Sequence, residues 1–242
     1  MTYAVVIPAR YASTRLPGKP LVPIAGVPMI VRTWQRCIEE VDPQHVWVAT
    51  DDDRIAQVCS ENGIQWRMTS SDCLTGTDRV AEFARSIPAD TYINVQGDEP
   101  LFNPDDLRVL IEAAAKHPHD VLNGYCSIQD GDEFFSGAVP KVVFRPDGRL
   151  LYMSRAGIPG NKTGQFRLGY RQVCAYAFPA EALQQFAQLT QKTALEEQED
   201  IEILRFLEMG FEVRMLPMSA HSIAVDLPEH VSRVEQRIQQ GL

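Results

Sequence analysis

The chain has no apolar run near the ~20 residues that would span a bilayer. Its opening, Met1-Thr2-Tyr3-Ala4-Val5, lacks the basic and apolar regions of a signal peptide. The expectation is a cytoplasmic protein with no membrane partner. Cysteine is sparse: five residues (Cys37, Cys59, Cys73, Cys126, Cys174), odd in number and never spaced as Cys-x-x-Cys. That argues against a disulfide framework and a zinc site, and for reduced thiols. The five histidines (His45, His117, His119, His221, His230) lack metal-ligand spacing and are expected mostly at the surface. Gly-x-Ser-x-Gly, His-Glu-x-x-His, Gly-x-Gly-x-x-Gly and the Walker spacing are all missing, which leaves nucleophilic hydrolase, zinc protease and dinucleotide readings without support. Cations are outnumbered, 23 against 32 acids, for a net charge of −9. A broad basic face for nucleic acid is therefore not expected.

Against that acidic background, one segment gathers positive charge. Residues 7–20, Ile-Pro-Ala-Arg-Tyr-Ala-Ser-Thr-Arg-Leu-Pro-Gly-Lys-Pro, follow the apolar run Tyr3–Ile7 and carry Arg10, Arg15 and Lys19 between rigid turn residues. Such a loop suits a polyphosphate: Pro8 and Ala9 lead into it, backbone N–H groups from Ala9 onward approach the oxygens, arginines fork onto them, and lysine adds a point charge. The alternative is a solvated turn. A narrow cleft would focus the field of these few cations on an anionic ligand.

Strand and helix patterns alternate along the first half. Strands are expected at Tyr3–Ile7, His45–Thr50, Ile64–Met68 and Thr91–Val95, and helices at Pro28–Glu40, Asp52–Asn62, Asp78–Ile87 and Asn103 to about Lys116. This is an α/β arrangement, a mostly parallel sheet flanked by helices, with ligands at the carboxyl ends of the strands. After about residue 120 the pattern changes. Val139–Phe144 and Arg149–Met153 flank the hairpin signal Arg145-Pro146-Asp147-Gly148, and 157–169 reads as a mobile loop. A strand at Tyr170–Phe178, helices at Ala180–Leu189 and Ala194–Glu208, a strand at Phe211–Leu216 and a helix at Glu229–Gln240 complete the expectation. It is one domain, 1–242, with a smaller antiparallel insertion at about 129–180.

Three further segments carry chemistry. In Asn94-Val95-Gln96-Gly97-Asp98-Glu99-Pro100, Gly97 permits a sharp turn, and Asp98 then projects at the sheet edge as a natural magnesium ligand; turn formation is the competing explanation. Asp226, before Pro228, is a second candidate, although helix-start chemistry also explains it. Thr75, Gly76 and Thr77 could contact a base and ribose while Arg79 faces phosphate, with a Thr77 helix cap as the alternative.

The motif at 7–20, Val-Ala-Thr-Asp-Asp at 48–52, Gly-Thr-Asp-Arg at 76–79, Asn-Val-Gln-Gly-Asp-Glu-Pro at 94–100, Leu-Tyr-Met-Ser-Arg-Ala at 151–156 and Val-Asp-Leu-Pro-Glu at 225–229 together resemble the 3-deoxy-manno-octulosonate (Kdo) cytidylyltransferase family. The resemblance implies a nucleotide-diphospho-sugar transferase-like (Rossmann-like) fold and a homodimer. It implies conversion of CTP and a sugar acid to CMP-sugar acid and pyrophosphate, for surface polysaccharide. It also implies that Arg10 and Lys19 bind the triphosphate, that Asp98 and Asp226 bind magnesium, and that Arg155, Tyr176 and Glu202 line the sugar-acid pocket, to which Gln96 and Gln172 are added. Arg10, Lys19 and Asp98 are the expected catalytic residues, with the insertion serving dimerisation and sugar binding.

Two departures fall on the sugar side: Gln172 where the family has histidine, and Ile203 where it has glutamine. Both are expected in the pocket. They leave open a different acid, such as a modified Kdo or a nonulosonate, and ordinary helix core is the competing explanation for Ile203. A non-catalytic nucleotide-binding regulator is the reading from another class.

Overall fold

The computed structural model describes residues 1–220 and 222–241; His221, one of the histidines expected at the surface, lies outside them. In chain order the described residues form β1 (Tyr3–Ala9), β2 (Pro23–Ile24), β3 (Val27–Pro28), α1 (Met29–Ile38), β4 (Val46–Thr50), α2 (Asp53–Glu61), β5 (Gln65–Met68), α3 (Gly76–Ala84), β6 (Thr91–Val95), α4 (Pro104–Lys116) and β7 (Val121–Ser127). There follow α5 (Gly131–Phe135), β8 (Lys141–Phe144), β9 (Leu150–Ser154), β10 (Tyr170–Pro179), α6 (Ala180–Phe186), α7 (Ala194–Glu199), α8 (Ile203–Glu208), β11 (Val213–Pro217) and α9 (Pro228–Gln239).

The main sheet runs β11-β7-β10-β6-β1-β4-β5, with β8 pairing β10 and β9 pairing β8. β1 is parallel to β4 and β6, β4 to β5, and β11 to β7, whereas β10 is antiparallel to both its main-sheet neighbours. The alternation in β1 builds two cores. Val5 and Ile7 face α1, α2 and α4, while Ala4 and Val6 face the layer containing Phe83, Phe178 and Phe206. The strand order reverses at β1: β4 and β5 extend one way, and β6 returns to its other side. A crevice therefore opens beyond the carboxyl ends of β1 and β6, where ligands bind in such sheets.

Local chemistry sets the helix starts. Asp52 accepts from the Arg54 amide at 2.9 Å, so α2 begins at Asp53, and Asn103 caps α4 before Pro104. α3 begins at Gly76 rather than Asp78, because Thr75, not Thr77, is its cap and accepts from the Asp78 amide at 3.2 Å. The expected helix 194–208 is two helices. Asp200 takes a left-handed φ of 51°, which ends α7 and turns the chain before α8. β7 was not anticipated, since Asn123-Gly124 reads locally as a turn; it is nevertheless a strand between β10 and β11.

Candidate active site

Gly97 brings the ends of β1 and β6 into contact. A Cβ there would stand 2.7 Å from the Pro8 carbonyl oxygen, so only glycine lets the two loops approach this closely. The loop leaving β1 is closed by the Gly18 amide donating to the Tyr11 carbonyl at 3.3 Å, with Gly18 at φ +66°. The Tyr11 amide in turn donates to Asp51 at 3.2 Å. Lys19 emerges from this loop and places its Nζ 2.5 Å from Asp98 Oδ2 and 3.1 Å from Asp226 Oδ1. Burial acts to lower the Lys19 pKa, but the two carboxylates outweigh it, and the net shift is upward. Asp226 reaches Asp98 across the chain because the Val225 amide donates to the Asp98 carbonyl at 2.9 Å. Its side chain turns to Lys19 and, at 2.9 Å, to Arg15, while no side chain caps α9. Helix-start chemistry therefore does not account for Asp226.

These groups line a cleft of about 420 Å³ that also reaches Pro8, Ala9, Arg10, Thr75, Gly76, Arg79, Gln96, Arg155, Gln172, Tyr176 and Glu202. A hollow of about 570 Å³ lies under Trp66 and Met68 at the β5 edge, but Arg67 and Glu82 are its only charged groups, so the chemistry belongs to the cleft. Thr77 is the expected site residue that does not line the cleft: it is 1% exposed, and its amide donates to Glu202 Oε2 at 2.9 Å. Its hydroxyl meets the same oxygen, and the Gly76 amide donates to the other at 3.2 Å. Glu202 thus closes the amino end of α3, and burial raises its pKa against the pull of those donors. Arg79 was expected to face phosphate. Instead its guanidinium is 3% exposed and held by Asp51 at 2.9 Å and Thr69 at 2.5 Å, bracing the ends of β4, β5 and α3.

Among the residues expected to take the sugar acid, Arg155 is oriented by backbone carbonyls: Nε donates to Glu199 at 2.5 Å, Nη2 to Asp200 at 2.9 Å and Nη1 to Gly137 at 3.2 Å. Gln172 donates to Asn123 Oδ1 at 3.0 Å and to the Tyr176 hydroxyl at 3.4 Å. Ile203 does not belong here. It is 1% exposed and packed in the core with Phe178 and Phe206, because α8 turns that face to the sheet and presents Glu202 to the cleft.

Several contributors escape sequence reasoning. Lys141 is fully buried with Nζ 2.5–2.7 Å from the carbonyls of Ser136, Val139 and Arg155, and burial lowers its pKa. Arg205, also fully buried, binds Glu196 through Nε at 2.5 Å and Nη2 at 2.7 Å, and Asp78 at 3.0 Å. Glu99 accepts from the Ser222 hydroxyl, and its carboxyl is pushed up to about 8 by burial first and the Asp98 charge second. Isolated charges inside apolar stretches were the available signals for Lys141 and Arg205. Asn123 had none, because its strand reads as a turn.

A crevice at a strand-order reversal, with a cationic loop facing two carboxylates, is the arrangement of a nucleotidyltransferase of the nucleotide-diphospho-sugar transferase fold. The chain belongs to the cytidylyltransferase family, whose model matches residues 4–215. A 3-deoxy-manno-octulosonate cytidylyltransferase of Myxococcus xanthus is 43% identical over 233 residues, 95% of this chain and 94% of that one. The protein of that name from Escherichia coli is 35% identical over 238 residues, 98% and 96% of the two chains. Among solved structures, a CMP:2-keto-3-deoxy-manno-octonic acid synthetase complexed with CTP superposes with a TM-score of 0.93 at 35% identity over 100% of both chains. A cytidylyltransferase from Leptospira borgpetersenii shares the fold at 18% identity, with a TM-score of 0.69 over 100% of this chain and 88% of that one.

Proposed function

We propose that this chain transfers the cytidylyl group of CTP to the anomeric hydroxyl of a 3-deoxy-2-keto sugar acid, Kdo or a close analogue, and releases pyrophosphate. The observation that carries this reading is the meeting of Lys19, Asp98 and Asp226 in the cleft that also holds Arg155. The hydroxyl oxygen attacks the α-phosphorus, the bond to the bridging oxygen breaks, the hydroxyl proton is released, and no covalent enzyme intermediate is needed. Arg10, Arg15 and Lys19 supply charge for the triphosphate and the departing pyrophosphate. Arg155, already held in plane by three carbonyls, offers its remaining N–H groups to the substrate carboxylate.

Magnesium fits the donor set. Asp98 and Asp226 share one ammonium, so their oxygens converge on a point where a cation already stands. Magnesium takes one or two protein carboxylates and completes its shell with phosphate and water, a role that Asp98 and Asp226 suit. When bound, it would neutralise phosphate charge and lower the pKa of the attacking hydroxyl.

Gln172 favours a second acid specificity within the same chemistry, a modified Kdo or a nonulosonate. A homodimer with the 129–180 insertion at its interface remains part of this proposal on the family resemblance; Phe135, Leu151 and Leu168 of that insertion are 57%, 59% and 56% exposed. The test is pyrophosphate release from CTP and magnesium with Kdo, its 8-amino analogue and several nonulosonates. Turnover supports the transferase, and binding of CTP without turnover on any acid supports the regulatory reading instead.

A further inference from the structure

The amide groups beside the cleft have only one consistent orientation. Asn123 is fully buried at the middle of β7, opposite an irregularity in β10 between Val173 and Tyr176. Its Nδ2 lies 2.9 Å from the Val173 carbonyl and 3.0 Å from the Ala175 carbonyl. Carbonyl oxygens only accept, so the NH2 group must face them and both its protons are committed. Asn123 Oδ1 is left as an acceptor, and the group it meets at 3.0 Å must donate: that is Gln172 Nε2. The second Nε2 proton goes to the Tyr176 hydroxyl at 3.4 Å. Gln172 therefore has no donor left. Its Oε1 accepts from no donor among the described residues, and the residue lines the cleft.

We infer that Asn123 is a positioning residue that locks the Gln172 amide with its oxygen toward the cleft, so that this wall selects an acid carrying a hydrogen-bond donor, a hydroxyl or an amine, at the contacted tail position. This rests on the cytidylyltransferase reading above. A histidine at position 172 could present either a donor or an acceptor by changing tautomer. A glutamine fixed from behind cannot. The discrimination is against groups of similar size that accept but do not donate, since these would set two acceptors face to face in a site 7% exposed.

The test uses the whole protein, CTP, magnesium and Kdo, with analogues in which one tail hydroxyl at a time is replaced by hydrogen or by fluorine. At one position both replacements should lower kcat/KM by about tenfold or more, with the KM for CTP unchanged. An amine at that position should be accepted. Gln172→Met removes the acceptor at similar volume, and the difference between Kdo and the fluoro compound should vanish. Gln172→Glu reads the orientation of Asn123 without altering it. A carboxylate against Asn123 Oδ1 is repelled, so this variant should use Kdo less well than Gln172→Met and melt at a lower temperature.

Fluoro analogues used as well as Kdo at every position would overturn donor selection. Wild-type behaviour of Gln172→Glu would overturn the role of Asn123. No pyrophosphate from any acid, Kdo included, sinks the transferase reading and this inference together, whereas turnover of Kdo without donor discrimination sinks this inference alone.

Discussion

Lys19 and Asp98 form a direct ion pair, 2.5 Å from Nζ to Oδ2, although 79 residues separate them in the chain. The pair joins the two halves of the cleft, and Asp226 closes it from a third segment at 3.1 Å. Replacing the lysine should have two separable effects. Lys19→Ala should lower kcat/KM for CTP by roughly 10- to 150-fold, from the loss of a charge-assisted contact of about 1.5–3 kcal/mol. It also leaves two carboxylates facing each other. Magnesium should then raise the melting temperature of the variant more than that of the wild type, and equal shifts would count against the shared cation site.

Asp98→Asn should nearly abolish turnover, and Asp226→Asn should impair it, with secondary structure by circular dichroism unchanged. Asparagine keeps the size and one acceptor but removes the charge. Because the Asp226 side chain faces Lys19 and Arg15 rather than the amides of α9, its replacement should act on magnesium dependence more than on stability. A change in melting temperature alone would return it to a structural role.

Gly97→Ala adds only a methyl group, yet that methyl would meet the Pro8 carbonyl at 2.7 Å. The strand ends must move apart at a cost of about 1–3 kcal/mol. Steady-state kinetics should show a loss of turnover larger than the drop in melting temperature implies, since the displaced backbone carries both the cationic loop and Asp98.

Lys141 provides a pH signature. Its pKa is lowered in the folded chain, so between that value and the ordinary lysine value the unfolded chain binds more protons, and stability rises with pH. Urea unfolding of wild type and Lys141→Met should show a stability gap favouring wild type that widens as pH climbs toward the ordinary lysine range. A gap that narrows there would mean that the ammonium gains, rather than loses, by burial.

Ile203→Gln introduces the residue that the family resemblance implies at this position. The site is 1% exposed and apolar, so the buried amide should cost about 1–3 kcal/mol and leave the choice of acid unchanged. A change in acid preference at unchanged stability would put Ile203 back in the pocket wall.

The parts of the fold visible in the sequence were those whose signals are local. The β1 run, the Asn103-Pro104 start of α4 and the Gly97 turn all follow from residue chemistry within a few positions. β7 was hidden because Asn123-Gly124 reads as a turn until Asn123 is seen bonding to carbonyls on β10, 50 and 52 residues away. The break at Asp200 was hidden for the same kind of reason: Lys192 pairs with its side chain at 2.7 Å and Arg155 with its carbonyl at 2.9 Å, both outside any helical pattern. At the site, the cationic loop and Asp98 announced themselves by charge and turn residues. The fate of Arg79, withdrawn onto Asp51, depended on a partner 28 positions earlier that no local pattern identifies.

β10 runs against its neighbours, so its first half, not its last, arrives at the edge where β1 and β6 end. The residues gathered on the two sides of the cleft consequently come from different stretches of chain. Segments 8–20, 73–79 and 96–99 supply one part of the lining, and 138–140, 155, 172–176 and 192–202 another, with Ala224 and Asp226 from near the end of the chain. A lineage could exchange the second stretch, by drift or recombination, and acquire a new acceptor while the nucleotide-handling apparatus stayed as it was. The reversed strand is in that sense a seam, stitched at few points, of which Glu202 on the Gly76 and Thr77 amides is one.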